Sequence, residues 1–508
     1  MKNILEFLEK NAERAPAALA FADTKTQLTY LELLNKTKAV GSALLKFSNK
    51  NKPVAVLTSR GVGTLVAMFG VVYSGNFYVV LDADSPNERL DKIIGTLEPF
   101  ALICDSENIE KGRTLDFSGE TLLLEEAEKC GIFEEGLKEV RRRAIDTDPL
   151  YALFTSGSTG YPKGAVINHR NVISYTEWFT GEYNITPDTV FGSQTPFYFS
   201  MSVSDVFATL KSGASLHIIP KQFFSFPMKL VEFLNERKVN TIYWVPSALS
   251  IIANWKVLDY GKPEHLEKIL FAGEVMPVKQ LNYWRAHYKD ALFSNLFGPT
   301  ETTDICTFYT LNREFSDDSS LPIGKACSNC DVFVVKDGGA LVKAPGEVGE
   351  LYVRGSFLSA GYYNNPEKTA AAFVQNPCNK NYPETVYKTG DLVKYNEYGE
   401  LEYVSRKDFQ IKHMGYRIEL GEIENAAYGV ERLSSAAVVY DGEEDKIVLV
   451  FVGTKLKEDE VRAALEEKLP LYMRPNVIIR TKNMPYNQNG KTDRVWLKNN
   501  YKTMIKGE

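Results

Sequence analysis

Apolar positions along this chain recur at two spacings. Residues 4–14 and 30–46 carry an apolar side chain every three or four positions, as a helix with one buried face requires. Residues 53–57, 77–81 and 101–104 are short, unbroken apolar runs, the mark of strands buried on both faces. Helical patterns at 61–70 and 88–97 fall between them. The alternation resumes with a helix at 169–179 capped by Asn168. It continues with strands at 190–194, 215–219, 241–245, 266–272 and 291–297, and helices at 202–211, 226–238 and 278–287. Strands alternating with helices predict a parallel sheet covered on both faces.

From about residue 321 the texture changes. Short strand patterns at 331–336, 341–342, 349–353 and 400–404 are separated by Gly, Pro and Asn, which predicts a small β subdomain. Past Lys407–Asp408, strands and helices mix over about 100 residues, the size of a small domain. The expected fold is α/β. Residues 1–407 form a large N-terminal domain of parallel-rich sheets flanked by helices, including the β subdomain at about 321–407. Residues 408–508 form a small α+β C-terminal domain.

A length of 508 residues exceeds what one hydrophobic core normally supports, in agreement with this division. A net charge of −6 argues against a nucleic-acid protein with a dominant basic face. The most apolar stretch, 64–81, is interrupted by Tyr73, Ser74, Gly75 and Asn76, so it reads as a buried helix and strand and not as a membrane span. Glu6, Glu9 and Glu13 break the apolar N-terminus, which excludes a signal peptide and leads us to expect a cytoplasmic protein. The six cysteines are scattered and form no disulfide framework. Cys327 and Cys330 lack a second pair at zinc spacing, and the histidines do not cluster.

The candidate chemistry starts at residues 155–164. Thr155, Ser156, Gly157, Ser158, Thr159 and Gly160 are followed by Pro162, Lys163 and Gly164, between two apolar runs. Free N–H groups and hydroxyls in such a turn make a concave anion site, and Lys163 adds a mobile positive charge. That suits nucleotide phosphates, although the order is not that of a P-loop. The bland alternative is a flexible linker. Residues 295–303 end a strand in Phe297, Gly298 and Pro299, then place Thr300 beside Glu301. Glu301 is a candidate magnesium ligand and Phe297 a candidate base-stacking ring; the same stretch also reads as a capped helix start. Asp391 could take two ribose hydroxyls with help from Arg406, or stand in a surface turn. Gly415 permits a close backbone approach. Lys491 sits in a turn from which it could reach outward, or in a solvated loop.

Taken in order, these motifs resemble those of the adenylate-forming superfamily: nonribosomal peptide synthetase adenylation domains, D-alanine–carrier protein ligases, and acyl- or aryl-CoA ligases. The resemblance runs over nearly the whole chain, since residues 28–30 and 75–82 match two earlier motifs. It implies a two-step reaction. A substrate carboxylate attacks the α-phosphorus of ATP, giving an acyl-adenylate and pyrophosphate, and a thiol then takes the acyl group. By the match, residues 155–160 and Lys163 handle pyrophosphate, Glu301 and Thr300 hold magnesium and phosphate, and Phe297 with Gly298 contacts adenine. Asp391 and Arg406 hold the ribose. Lys491 bridges the carboxylate and the α-phosphate. Asp408 is the implied hinge of a mobile C-terminal domain that exchanges Lys491 for the Gly415 region.

The resemblance also implies a substrate pocket of Ser200, Met201, Ser204, Trp244, Leu270, Ala272, Leu296, Asp304 and Ile305. Amino-acid-activating members carry an Asp where this chain has Ser200, and Asp304 could supply the missing charge from the opposite wall or meet an amino group farther from the carboxyl. Trp244 is expected to fill volume, so the substrate should be small. Ser405 departs from the usual Gly before Arg406. The chain stops at Glu508, so the thiol is expected in trans, on the phosphopantetheine of a separate acyl or peptidyl carrier protein. The expected function is loading of a small amino acid or related carboxylic acid onto such a carrier, with a D-alanine ligase-like or nonribosomal peptide synthetase character; the alternative is an acyl- or aryl-CoA ligase.

Overall fold

The computed structural model describes residues 1–47, 49–156, 161–407, 410–486 and 492–505. Its first sheet has six strands in the order Glu120–Leu123, Ala101–Cys104, Pro53–Leu57, Phe77–Val80, Pro149–Thr155 and Lys163–Asn168. The pairings are parallel except the last, which is antiparallel. The second sheet has nine strands, with a parallel centre of Val190–Ser193, Thr241–Trp244, Lys268–Ala272 and Leu292–Phe297. One apolar cluster runs through the helices and strands of both sheets and draws on residues 4–357.

Helix starts follow local chemistry. Thr29 and Glu32 form a reciprocal cap on Tyr30–Leu45, and Asn168 with Asn171 does the same for His169–Glu182.

The β-rich region is a five-stranded antiparallel sheet built on Val348–Gly355 and the eleven-residue strand Thr385–Tyr395. Residues 387–392, which read alone as a surface turn, lie inside that strand. Residues 341–342, expected as a strand, make only an isolated bridge between Leu341 and Val335.

The smaller C-terminal part begins with the hairpin Gln410–His413 and Tyr416–Glu419. The three-stranded sheet Leu433–Asp441, Lys446–Gly453 and Val477–Arg480 follows, packed by the helices Leu420–Tyr428, Glu458–Lys468 and Arg494–Ile505. Its apolar interior, centred on Ile423, Leu449, Phe451 and Leu497, draws among the described residues on none before 411. The molecule thus has a large sheet-rich N-terminal domain and a smaller C-terminal one, each with its own core.

Candidate active site

The described ends of the Pro149–Thr155 and Lys163–Asn168 strands meet the turn that follows the Leu292–Phe297 strand, where Lys163 Nζ lies 3.4 Å from Glu301 Oε1. Thr155 and Lys163 are cross-strand partners. Thr155 Oγ1 is buried with no hydrogen-bond partner among the described residues, so it can serve a ligand oxygen. Ser156 Oγ is engaged: it donates to the Arg417 carbonyl at 2.7 Å and accepts from the Glu419 amide at 2.9 Å. Gly157, Ser158, Thr159 and Gly160 lie outside the described residues, as do Asp408 and Lys491.

Glu301 stands at the centre. The Leu292–Phe297 strand ends at Gly298 and Pro299 and turns into a single 3₁₀ turn, Thr300–Thr302. A Cβ on Gly298 would lie 2.3 Å from the Asp304 carbonyl, so the chain can double back only with glycine there. Thr303 holds a left-handed backbone (φ 70°), fixed by its hydroxyl donating to Phe357 O at 2.8 Å. Glu301, 0% exposed, accepts from Tyr362 OH at 2.6 Å and from Arg417 Nη1 at 2.7 Å. Lys163 Nζ is 3.4 Å from its Oε1 and donates to Tyr362 OH at 3.2 Å. Burial pushes the Glu301 carboxyl upward, but Arg417 and Lys163 outweigh it and hold the group well below the usual carboxylate range. Burial lowers the Lys163 ammonium, and Glu301 opposes that shift.

Asp391 and Arg406, the candidates for the ribose, meet in space. They are directly opposite on neighbouring antiparallel strands and pair at 2.8 Å, both buried. Phe297 is also buried. Lys412 Nζ lies 4.4 Å from its ring centre, and Tyr403 flanks it at 6.0 Å.

Lys412 belongs to the Gln410–Glu419 hairpin, which is seated in the site. The turn residue Gly415 has φ 80°, donates its amide to Glu274 Oε1 at 2.6 Å, and would place a Cβ 2.5 Å from Val245 Cγ1. Tyr416 lies between Tyr198, whose hydroxyl is 3.4 Å from its own, and Tyr472, on which it stacks at 3.7 Å. Behind the hairpin, Arg89 of the N-terminal domain forms a buried ion pair with Glu422. Arg417, Lys412, Tyr362 and Glu274 are site residues that sequence reasoning does not reach. Arg417 carries a signal, since it stands between Gly415 and Glu419 in a glycine-containing polar stretch. Tyr362 and Glu274 carry none, because their partners are remote in sequence.

Ser200, Met201, Ala272, Asp304 and Ile305 line a cavity of ≈ 30 Å³ together with Thr300, Asp391, Arg406 and Gly415. Leu270 and Leu296 are buried. Leu270 pairs with Tyr243 and Ser294, and Ala272 with Leu296, in strands whose side chains alternate between faces. That alternation corrects the placement of Trp244. Its indole N–H donates to Gly192 O at 2.8 Å and its ring meets Phe224 edge-on at 5.2 Å. The preceding residue, Tyr243, turns instead to the pocket, where its hydroxyl donates to Asp304 Oδ2 at 3.1 Å. Ser204 donates to the same oxygen at 2.6 Å and Tyr175 at 3.2 Å. Asp304 is 1% exposed, and burial pushes its pKa up to about 6 although the hydroxyls of Ser204, Tyr243, Tyr175 and Ser200 pull it down.

Two family models match this chain: the AMP-binding enzyme over residues 8–363 and the AMP-binding enzyme C-terminal domain over 422–491. An L-proline--[L-prolyl-carrier protein] ligase of Pseudomonas fluorescens is 30% identical over 507 residues, covering 97% of this chain and 98% of that protein. A ligase of the same name from Streptomyces coelicolor is 32% identical over 494 residues, covering 92% and 91%. Gramicidin S synthase 2 of Brevibacillus brevis is 31% identical over 97% of this chain, and the match spans 11% of that much longer protein. Among solved structures, the Vibrio cholerae adenylation domain AlmE, in complex with glycyl-adenosine-5'-phosphate, superposes with a TM-score of 0.83 at 22% identity, covering 98% of this chain and 97% of that one. The o-succinylbenzoate CoA synthetase of Bacillus subtilis does so with 0.83 at 21%, covering 98% of both. At these identities the likeness is one of fold.

Proposed function

The chain belongs to the AMP-binding enzyme family, and we propose that it is an AMP-forming ligase that activates a small amino acid or related carboxylic acid with ATP and passes it to the phosphopantetheine thiol of a separate carrier protein. The observation that carries this reading is the buried Glu301, held between Lys163 and Arg417, in a site shared with the Asp391–Arg406 pair. The relatives of matching length, both named as carrier-protein ligases, support the choice of acceptor.

In the first step the carboxylate and the α-phosphate must approach although both are anionic, so charge neutralisation and positioning dominate the barrier. Lys163 and the hydroxyls of Thr155 and Ser156, with the Gly157–Gly160 segment, would receive the polyphosphate. Asp391 would take the ribose, with Arg406 fixing its carboxylate. Phe297 and Gly298 would face the base, and Lys491 would bridge the reacting oxygens. Among the described residues no three His, Cys, Asp or Glu side chains gather as a metal site. Glu301 with Thr300 nearby still fits magnesium, which keeps waters and phosphate oxygens and needs few protein ligands. Bound there, it would offset polyphosphate charge. Both Glu301 oxygens are engaged in the present arrangement, so its place opens as Arg417 withdraws.

The seated hairpin supports assignment of this arrangement to the second step, with Gly415 against Val245 and the N-terminal domain closed on it. Rotation of the C-terminal domain about Asp408 would exchange it for Lys491. Carboxylate-dependent exchange of pyrophosphate into ATP tests the first step, and the mass of a loaded phosphopantetheinyl carrier tests the second. Ser200, which lacks the charge an α-ammonium needs, favours an acyl- or aryl-CoA ligase as the second reading. Efficient thioester formation with coenzyme A and none with a carrier would select it.

A further inference from the structure

The pocket places its negative charge in an unusual position. Ser200, at the lip, is neutral and buried. Asp304 supplies a carboxylate that the Ser200 hydroxyl also reaches, but its Oδ2 is held by Ser204, four residues and about 6 Å, one helical turn, further along the same segment. Three hydroxyls, from Ser204, Tyr243 and Tyr175, converge on Oδ2 alone, and Ser204 also lies 2.7 Å from Tyr175 OH. The cage is rooted low in the pocket. Tyr243 springs from the strand level of Leu270 and Ser294, two pairs below Ala272 and Leu296 at the strand ends. Among the described residues no lysine, arginine or histidine pairs with Asp304. Hydroxyls fix a buried carboxylate but do not neutralise it, and a buried charge without an opposite charge is costly. The remaining walls near Asp304, Met201, Ala272 and Ile305, are apolar and leave little room.

We propose that Asp304 is the specificity-determining residue of this pocket and that it receives the ammonium of a small β- or γ-amino acid, whose carboxyl reacts at the upper end of the cavity. This rests on the adenylate-forming reading above. An α-ammonium sits beside the reacting carboxyl, at the level of the neutral lip residue. An ammonium one or two carbons further on reaches the charge that lies deeper. Neutral acids of the same length fill the space but leave the carboxylate unpaired, so the site rejects them, by roughly 10²-fold or more on the scale of sites that lose a buried polar partner.

The test is pyrophosphate exchange by the full chain with β-alanine, γ-aminobutyrate, glycine, L- and D-alanine, L-proline, propionate, butyrate and benzoate. The expected result is a kcat/KM for a β- or γ-amino acid at least tenfold above every α-amino acid and roughly a hundredfold above its deaminated isostere. Asp304→Asn lowers kcat/KM for the amino acid roughly a hundredfold and so removes its advantage over the neutral isostere. Ser200→Asp moves the preference toward α-amino acids. Preference for an α-amino or a neutral acid in the wild-type protein, or full retention of the amino preference by Asp304→Asn, overturns the inference and leaves adenylation standing. Exchange with no acid in the panel overturns both. The wild-type ranking decides by itself should Asp304→Asn fail to fold.

Discussion

Arg417 Nη1 lies 2.7 Å from Glu301 Oε2, across the two domains, with both side chains nearly or fully buried. The contact puts a cation from the C-terminal domain on the carboxylate we assign to magnesium. Replacing Arg417 with Ala should therefore weaken the closed arrangement while sparing the open one. We expect carrier loading to fall roughly 10- to 100-fold, the span of a lost charged hydrogen bond, with pyrophosphate exchange within a few-fold. Single-turnover loading from preformed acyl-adenylate measures the first and isotope exchange the second. Equal losses in both would sink the assignment of Arg417 to the closed state.

Two further residues of the proposed cycle, Lys491 of the first step and Asp408 of the hinge, lie outside the described segments. Lys491→Ala should abolish exchange, roughly a 100-fold loss or more as for a preorganised charge at a reacting oxygen, without lowering the melting temperature. Asp408→Pro should do the reverse, slowing carrier loading and sparing exchange, because proline fixes φ at the proposed hinge. Exchange retained by the first variant, or lost by the second, refutes the respective role.

Gly415 combines a left-handed backbone with a 2.5 Å approach to Val245. An alanine there costs about 1–2 kcal/mol from the backbone alone, before the clash. We expect at least a roughly tenfold loss of carrier loading. The companion Val245→Ala, made in the Gly415→Ala background, should recover part of it. No recovery would mean that the contact does not limit closure.

Adjacent aromatic residues should behave oppositely. Tyr243→Phe removes a donor to Asp304 and should alter the ranking of substrates with little effect on melting. Trp244→Phe breaks a bond to Gly192 O and leaves space on the far face of the sheet. It should destabilise by about 1–3 kcal/mol and leave the ranking alone. Denaturant titration beside the substrate panel separates the two.

The pH dependence has a definite sign. Burial raises the Asp304 carboxyl to about 6 in the free site, against the hydroxyls of Ser204, Tyr243, Tyr175 and Ser200, and the nearby Asp205 carboxyl is itself raised. Only the ionised form holds an ammonium. The KM for a cationic substrate should thus fall as pH rises through about 6, by roughly tenfold between pH 5 and pH 7.5. A neutral acid should show no such change, and Asp304→Asn should abolish it. A KM that rises with pH over that interval would contradict the pairing.

The order of elements was legible because it is written in local pattern. The alternation of apolar runs with 3.6-residue periodicity through residue 297 foretells the parallel centres of both sheets, and the caps at Thr29 and Asn168 mark helix starts. The Thr385–Tyr395 strand was obscured because Thr389, Gly390 and Asp391 look like a turn when read alone. The Thr389 hydroxyl and the Gly390 amide donate to Leu351 and Glu350 on another strand, which no local pattern reveals.

The candidate site divides in the same way. Sequence by itself determined which residue types are candidates for the chemistry: a hydroxyl-rich loop ending in Lys163, a carboxylate at Glu301, an Asp391 to be joined by Arg406. Tertiary structure alone decided which of them meet and which way they face. It set Arg417 on Glu301 from 116 positions away, gathered four hydroxyls about Asp304, and turned Trp244 from the pocket in favour of Tyr243. The physical reason is that charge and hydrogen-bonding capacity belong to a residue, whereas burial, partner and face belong to its packing. A one-position shift along a strand reverses the face, and no composition or spacing short of the folded register carries that information.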